Sequence, residues 1–302
     1  MLLTAILVTM GRYSIKELEQ LSGIKSHTIR IWEKRHRLVE PKRTPTNIRY
    51  YSDDDLKKII NVSLLNTHGV KISKIVDLSI EEINQKVAEL SEAKNSIEIY
   101  IDQLVISMID MDEEQFEKIL SSLILKFSFE RTIIEIVYPF LEKIGVLWLT
   151  NNISPAQEHF ITHLIRQKLI VAIDALPLAP KTVKRVLLFL PENEIHELGL
   201  LFYHYIAKKE GYRTYYLGQT VPYKDLIHVC EHHHPQIIIS AFTTVPQANA
   251  IGGFLKRMST DFASAKILIS GHVLKKAKVE PLPNVEFFHN ALTLREMLVG
   301  LK

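Results

Sequence analysis

The segment Glu194-Ile195-His196-Glu197-Leu198-Gly199 is the one best equipped for chemistry. It follows the apolar run Val186-Leu187-Leu188-Phe189-Leu190 and precedes the amphipathic run Leu200 to Lys209, so it reads as the loop between a buried strand and the next helix. Open α/β sheets bind ligands in such loops, and a neutral imidazole there is a ready metal ligand. In an extended loop, residues two apart share a side, so Glu194 can accept the other ring N–H of His196 and fix its tautomer. Gly199 has no Cβ and lets a bulky ligand run close to the backbone where the helix begins. These six residues alone also fit an ordinary strand-to-helix turn that happens to hold a histidine.

A sheet must position this loop. Strands near Val183 to Leu190, Tyr212 to Leu217, Gln236 to Ala241, Lys266 to Ser270 and Val285 to Phe287 alternate with helical runs. That alternation predicts a parallel sheet with helices on both faces, close to the flavodoxin-like order. Upstream, Glu92 to Met111, Glu113 to Phe127, Glu130 to Leu149 and Pro155 to Leu176 read as the helices of a four-helix bundle. Ser154-Pro155-Ala156-Gln157 is a strong start for the fourth, and Pro177 and Pro180 mark a linker after it. The His232-His233-His234 run falls at the end of an amphipathic helix and reads as a solvated terminus.

The amino-terminal part has a different chemistry. Between Gly11 and Ser52 ten basic residues face four acidic ones, a local charge of +6 in a chain whose net charge is +3. Such a surface is built to meet a polyanion. Ile15, Leu18 and Leu21 have helical spacing, Gly23 makes a turn, and Ser26 can cap a second helix carrying Ile29, Ile31 and Trp32. In a helix-turn-helix the exposed face of the second helix enters the major groove, here presenting His27, Thr28, Arg30 and Lys34. Residues 42–51 alternate turn formers with β-prone and basic types, as a short hairpin would, and such a wing lays Arg43, Arg49 and Tyr50 against phosphates. Ser52-Asp53-Asp54-Asp55 starts a helix through Leu56, Ile59, Ile60 and Leu64 to Gly69, with a short helix from Ile72 to Leu78 behind it.

In order and spacing, Leu18 to Glu33, the Arg43-x-x-x-Asn47-x-Arg49-Tyr50-Tyr51 wing and the Asp-rich helix start resemble the winged helix-turn-helix of the MerR family. Glu194-x-His196-x-x-Gly199 resembles the Asp/Glu-x-His-x-x-Gly motif of cobalamin-binding domains. That resemblance implies His196 as lower axial ligand of cobalt, Glu194 as its orienting partner and Gly199 as room for the nucleotide tail. Ser240-Ala241-Phe242 and Ser270-Gly271-His272 partly match two further signals of those domains, implying tail contacts from Ser240 and Gly271. The spacing from Trp148 to Glu158-His159 is similar to that in the CarH/LitR regulators, which join a MerR-type reader to a cobalamin domain. There the Trp covers the upper face of the corrin, so Trp148, Glu158 and His159 are implied on that side. The light-sensing members have a histidine directly after the Trp; this chain has Leu149, which cannot bind cobalt, so a stable bis-histidine photoproduct would need His159 or His163 instead.

The expected fold is therefore multidomain, α and α/β: a winged helix-turn-helix over 1–80, a four-helix bundle over 92–178 and a Rossmann-like, flavodoxin-like domain over 183–302. A chain of 302 residues with 47% hydrophobic and 24% charged residues suits two or three globular domains. The lone Cys230 excludes an intrachain disulfide framework and fits a cytoplasmic setting, and the apolar Met1 to Met10 is far short of the roughly 20 residues that span a bilayer. No sustained heptad follows residue 80, so dimerisation by a long coiled coil is not expected. The function expected is a non-enzymatic transcriptional regulator, a dimer or tetramer on double-stranded operator DNA, controlled by adenosylcobalamin or methylcobalamin and open to light control. Two alternatives stand beside it: a regulator with a vestigial cofactor domain, and a corrinoid carrier for methyl transfer.

Overall fold

Ser14 accepts the backbone N–H of Glu17, whose carboxylate returns to the Ser14 N–H, and this capping box starts α1 (Ile15–Ser22). Gly23, at φ 71°, ends it. The structure, a computed structural model, describes residues 12–94, 96–149, 153–244, 246, 250–275, 277 and 279–302. The second helix, α2 (Ser26–His36), begins differently from the expectation: Lys25 occupies the cap position without a side-chain bond, and Ser26 is the first helical residue. Its N–H and hydroxyl both donate to Glu19 of α1, at 3.0 and 2.6 Å, so the turn is pinned by the preceding helix. Those bonds, with help from Lys25, hold the Glu19 carboxyl down at about 2. The wing forms from β1 (Lys42–Arg43) and β2 (Arg49–Tyr50), antiparallel with Arg43 opposite Arg49. A second capping box, Ser52 with Asp55, starts α3 (Asp53–Thr67), and Leu18, Leu21, Ile29, Trp32, Leu56 and Ile59 are buried together.

After the short α4 (Ile72–Ile75) comes α5 (Ile80–Lys94), and then α6 (Ile97–Asp110). The sequence pattern predicts one helix from Glu92 to Met111; Ser96 divides it, extended at ψ 123° and donating its hydroxyl to Glu98 at 2.6 Å, a local bond that competes with helix. The helix α7 (Glu113–Phe127) falls where expected, capped by Asp112. The third bundle helix is interrupted. It runs as α8 (Phe129–Thr132), a π turn over Ile133–Val137 and α9 (Tyr138–Leu149), with the Tyr138 N–H reaching back to Ile133. Pro139 lacks the N–H that a regular helix would use here, and the wider turn absorbs the missing bond. The fourth helix is α10 (Pro155–Asp174), and the chain divides into two compact units inside it, Met1–Ile161 and Thr162–Lys302.

The second unit continues with β3 (Arg185–Pro191), α11 (Glu197–Lys209), β4 (Arg213–Val221), α12 (Tyr223–His233), β5 (Ile237–Ala241), α13 (Ile251–Asp261), β6 (Lys266–Ser270), β7 (Val285–Phe287) and α14 (Ala291–Gly300). All strand pairs are parallel and the order is β4-β3-β5-β6-β7. This is the flavodoxin-like order. The chain starts at β3, steps outward to β4 and crosses back to β5, so a crevice opens between the carboxyl ends of β3 and β5. The strands β3 and β5 are buried along nearly their whole length, as a sheet covered on both faces requires. Among the described residues no helix is long and apolar enough to cross a membrane.

One packing contact gives this unit a pH dependence. The His204 ring of α11 stacks on Tyr216 of β4 at 4.9 Å, and its Nε2 lies 2.9 Å from the Thr214 hydroxyl. Burial, reinforced by the charge of Lys208, lowers its pKa to about 4. The folded-state value lies below the unfolded one, so this contribution is whole above about pH 6.5 and is lost as pH falls toward 4. Thermal melts of wild type should therefore shift downward between pH 7 and pH 5, and His204→Phe should flatten that shift; parallel curves for the two proteins would refute the assignment.

Candidate functional site

The turn after β3 is built around one carboxylate. Asn193 takes a left-handed conformation at φ 68°, and Glu194 that follows is fully buried. A buried carboxylate needs donors, and Glu194 has them: the backbone N–H groups of Ile195 at 3.1 Å, His196 at 3.2 Å, Thr243 at 2.9 Å and Thr244 at 2.7 Å. The Thr244 hydroxyl adds a longer contact at 3.3 Å. The Glu194 carbonyl is also held, accepting the Thr220 N–H from the end of β4 at 3.2 Å. Loops beyond β3, β4 and β5 thus converge on one residue.

That carboxylate grips His196. Oε1 of Glu194 lies 2.5 Å from His196 Nδ1, and the imidazole, at the cap position of α11, is about half exposed at 49%. The Glu194 oxygen at Nδ1 suits a ring that donates from that nitrogen and leaves the lone pair on Nε2 for a metal. Among the described residues no group of three or more His, Cys, Asp or Glu side chains could cage a metal ion. A single oriented imidazole suits a metal already held by a macrocycle, not a bare ion that needs several protein ligands.

Gly199 lies one turn into α11. A Cβ built there meets no atom within 4 Å, so the protein's own packing does not require the glycine, and the helix face beside His196 stays open. Ser240 and Gly271, the residues for which the resemblance implies tail contacts, each have a packing role in the fold. Ser240 is fully buried and its hydroxyl donates to the Phe189 carbonyl at 2.8 Å, tying β5 to β3. Gly271 has φ 127°, and a Cβ there would come within 2.1 Å of the Phe242 carbonyl oxygen. Thr243 and Thr244, just beyond Ser240, are the residues that reach the site; they act through backbone N–H groups, which side-chain motifs do not register. A second clamp also escaped the sequence: Glu197, first residue of α11, accepts from Arg166 of α10 at 2.9 Å and from the Tyr216 hydroxyl at 2.8 Å. Burial, and then Glu197 itself, push the Tyr216 pKa upward.

Glu158 and His159 sit in the first turns of α10, with His159 Nδ1 at 3.3 Å from Glu158 and the His159 side chain largely exposed. His163, one turn on, is exposed too. Trp148 belongs to α9, but its side chain and that of Leu149 lie outside the described residues, and so does the upper-face packing that the resemblance implies.

The reader presents one basic helix face. His27, Arg30 and Lys34 are exposed along α2, while Ile29 and Trp32 are buried behind them; Ile31 stands outside the core. Thr28 is half-buried, its hydroxyl 3.3 Å from His27 Nε2. In the wing, Arg43 Nη1 donates to the Asn47 side chain at 2.6 Å and stiffens the left-handed tip. Arg49 Nε lies 3.9 Å from Glu33, which also accepts the Tyr51 hydroxyl. The Arg12 guanidinium stacks over Tyr50 at 5.1 Å, joining the segment before α1 to the wing. Sequence reading counted Arg12 only as charge; its place follows from the bridge between Tyr13 and Tyr51.

These features define a chain that joins a DNA-reading module to a corrinoid-type domain. Residues 13–81 match the family described as MerR HTH family regulatory protein, and residues 100–172 match the B12 binding domain. The chain is homologous to the HTH-type transcriptional repressors CarH and CarA of Myxococcus xanthus. It is 28% identical to CarH over 220 residues, 71% of this chain and 73% of that protein. It is 25% identical to CarA over 259 residues, 85% of each. Among solved structures, the Methanosarcina barkeri monomethylamine corrinoid protein superposes with a TM-score of 0.55 at 12% identity, covering 68% of this chain and all of that one, a likeness of fold.

The two glycines should respond oppositely to a methyl group. Gly271→Ala should lower unfolding stability by about 3 kcal/mol or more, because it adds both strain and a backbone clash. Gly199→Ala should leave stability level or raise it by up to about 1 kcal/mol, as in a helix interior. Denaturant unfolding of both variants checks this, and equal losses would refute the division of roles.

Proposed function

We propose that the protein is a DNA-binding transcriptional regulator whose operator affinity responds to cobalamin held at His196. The observation that carries the reading is the half-exposed His196 imidazole, gripped through Nδ1 by a fully buried Glu194 at the crevice between β3 and β5, on the same chain as a basic helix and wing. His196 would face cobalt through Nε2, Glu194 would keep the ring neutral and oriented, and the open face at Gly199 would admit the nucleotide tail. When bound, cobalamin supplies a metal centre with an exchangeable upper ligand, an adenosyl or methyl group. Trp148, Glu158 and His159 are the residues assigned to that upper side. Base edges would be read by His27, Thr28, Arg30 and Lys34, and phosphates held by Arg43, Arg49 and Tyr50.

Regulation then takes the form of linkage. Cobalamin binding favours an assembly, a dimer or tetramer, whose paired readers meet two half-sites, and DNA and cofactor raise each other's affinity by the same factor. Nothing in this scheme requires catalysis, and a methyl carrier has no use for a groove-reading helix. The protein would work in the cytoplasm, where Cys230, buried and with its thiol pushed up to about 12, stays inert.

Dark reconstitution of the purified full chain with adenosylcobalamin, followed by gel filtration, tests the sensor. Wild type should retain the corrin absorbance, and His196→Ala should lose the spectral signature of the imidazole-bound form and weaken retention; identical spectra would refute the axial assignment. On the reader, Arg30→Ala should weaken the preferred operator by about 1 to 3 kcal/mol and relax the preference at one base pair. Arg49→Ala should instead weaken all sequences alike and reduce the salt slope by about 1. Gel-shift titrations against specific and scrambled DNA at two salt concentrations separate the two outcomes.

A further inference from the structure

The third helix of the reader also faces the bundle. Lys57 of α3 extends its ammonium to Asp110 at the end of α6, at 2.7 Å, and to Asp54 of its own helix at 3.1 Å. One turn further, the Asn61 amide donates to Asn84 of α5 at 2.8 Å. Between these contacts lies a cavity of about 210 Å³, floored by Ile80, Ile83 and Ile106. The Lys57 side chain is only 23% exposed, so burial works against its charge, but hydrogen bonds to Asp110 and Asp54 outweigh it and raise the pKa.

This junction adds polar links to an apolar lining. The reader closes on Leu56, Ile59 and Ile60, and the bundle on Ile99, Leu104 and Phe116, all buried apolar residues that give adhesion without direction. From α3 to α6 the named link is the Lys57–Asp110 ion pair, and beside it the Asn61–Asn84 amide pair ties α3 to α5; both have directional geometry, and the gap between them has room for water. Charged groups of this kind fix an orientation more than they add stability, because opening the contact returns both partners to solvent. The helix α2 and the wing belong to the same folded module as α3, so the angle of α3 on α6 sets the direction in which they point.

We infer that Lys57 is a positioning residue: its bond to Asp110 fixes the reader on the first bundle helix, and thereby the half-site spacing that paired readers accept. The second half of this inference rests on the DNA-binding reading; the first does not. The test uses the full chain in a Cys230→Ser background, with spin labels at Ile48→Cys on the wing and Leu125→Cys on α7, both exposed positions. Pulsed dipolar spectroscopy should give one narrow distance for the parent and a broadened or displaced one for Lys57→Met and for Asp110→Asn, with Lys57→Arg, which keeps the charge, close to the parent. Circular dichroism confirms that each variant is folded, and Asp110→Asn carries the test should Lys57→Met fail to fold. In parallel, selection from operators with randomised spacers should show the preference for the best spacing reduced by about fivefold in Lys57→Met, with binding to one half-site unchanged. A distance distribution for Lys57→Met matching the parent's overturns the inference, and so does a broadened distribution with unaltered spacing preference. A parent chain that binds no DNA removes the regulator reading, while the distances still decide the latch.

Discussion

A carboxylate with no access to water governs the carboxyl edge of the sheet. Glu194 is stable only while its oxygens are filled by donors, and those come from its own turn and from Thr243 and Thr244 beyond β5. Because donor and acceptor sit on different loops, desolvating Glu194 fixes both loops at once. The Thr220 bond to the Glu194 carbonyl adds the end of β4. The result is an imidazole whose Nδ1 side is held by a buried carboxylate, the arrangement a preorganised metal ligand would need.

The same constraint explains which parts of the site the sequence disclosed. Glu194, His196 and Gly199 lie within six residues, so their relation follows from local geometry and a strand-to-helix context. Thr243 and Thr244 stand about fifty residues away and contribute backbone N–H groups, which any residue type can supply; only the strand order brings them there. The packing roles of Ser240 and Gly271, a hydroxyl that ties β5 to β3 and a glycine under a crossing carbonyl, depend on strands far apart in the chain and so are not legible in a local motif.

Elements followed from pattern wherever local and tertiary demands agreed. The first reader helix, the capping box at Ser52, the wing and the five strands are cases of this. Departures came where a distant or subtle bond prevailed: Glu19 claims Ser26 and moves the cap to Lys25, Ser96 divides a helix that hydropathy joins, and Pro139 is absorbed by a π turn instead of ending the helix. Each depends on one hydrogen bond made or missing, a scale that periodicity of apolar residues does not resolve.

Under the proposed function, one imidazole at His196 would also constrain what kind of sensor this edge can be. Zinc and similar ions require three or four protein donors, whose assembly is itself part of folding. A cofactor that carries its own metal donors would ask the protein for one ligand, and in the proposed reading the turn around Glu194 is already held by its own hydrogen bonds to supply it. The free energy of that one bond, together with the burial of the macrocycle, is then available to bias whichever arrangement of the chain holds the cofactor better, since a ligand shifts an equilibrium only by its differential affinity for the two states. If His196 is the ligand, a turn already ordered by Glu194 is what a regulator needs at this position: the less of the binding energy is consumed in ordering the site, the more remains to act on the reader.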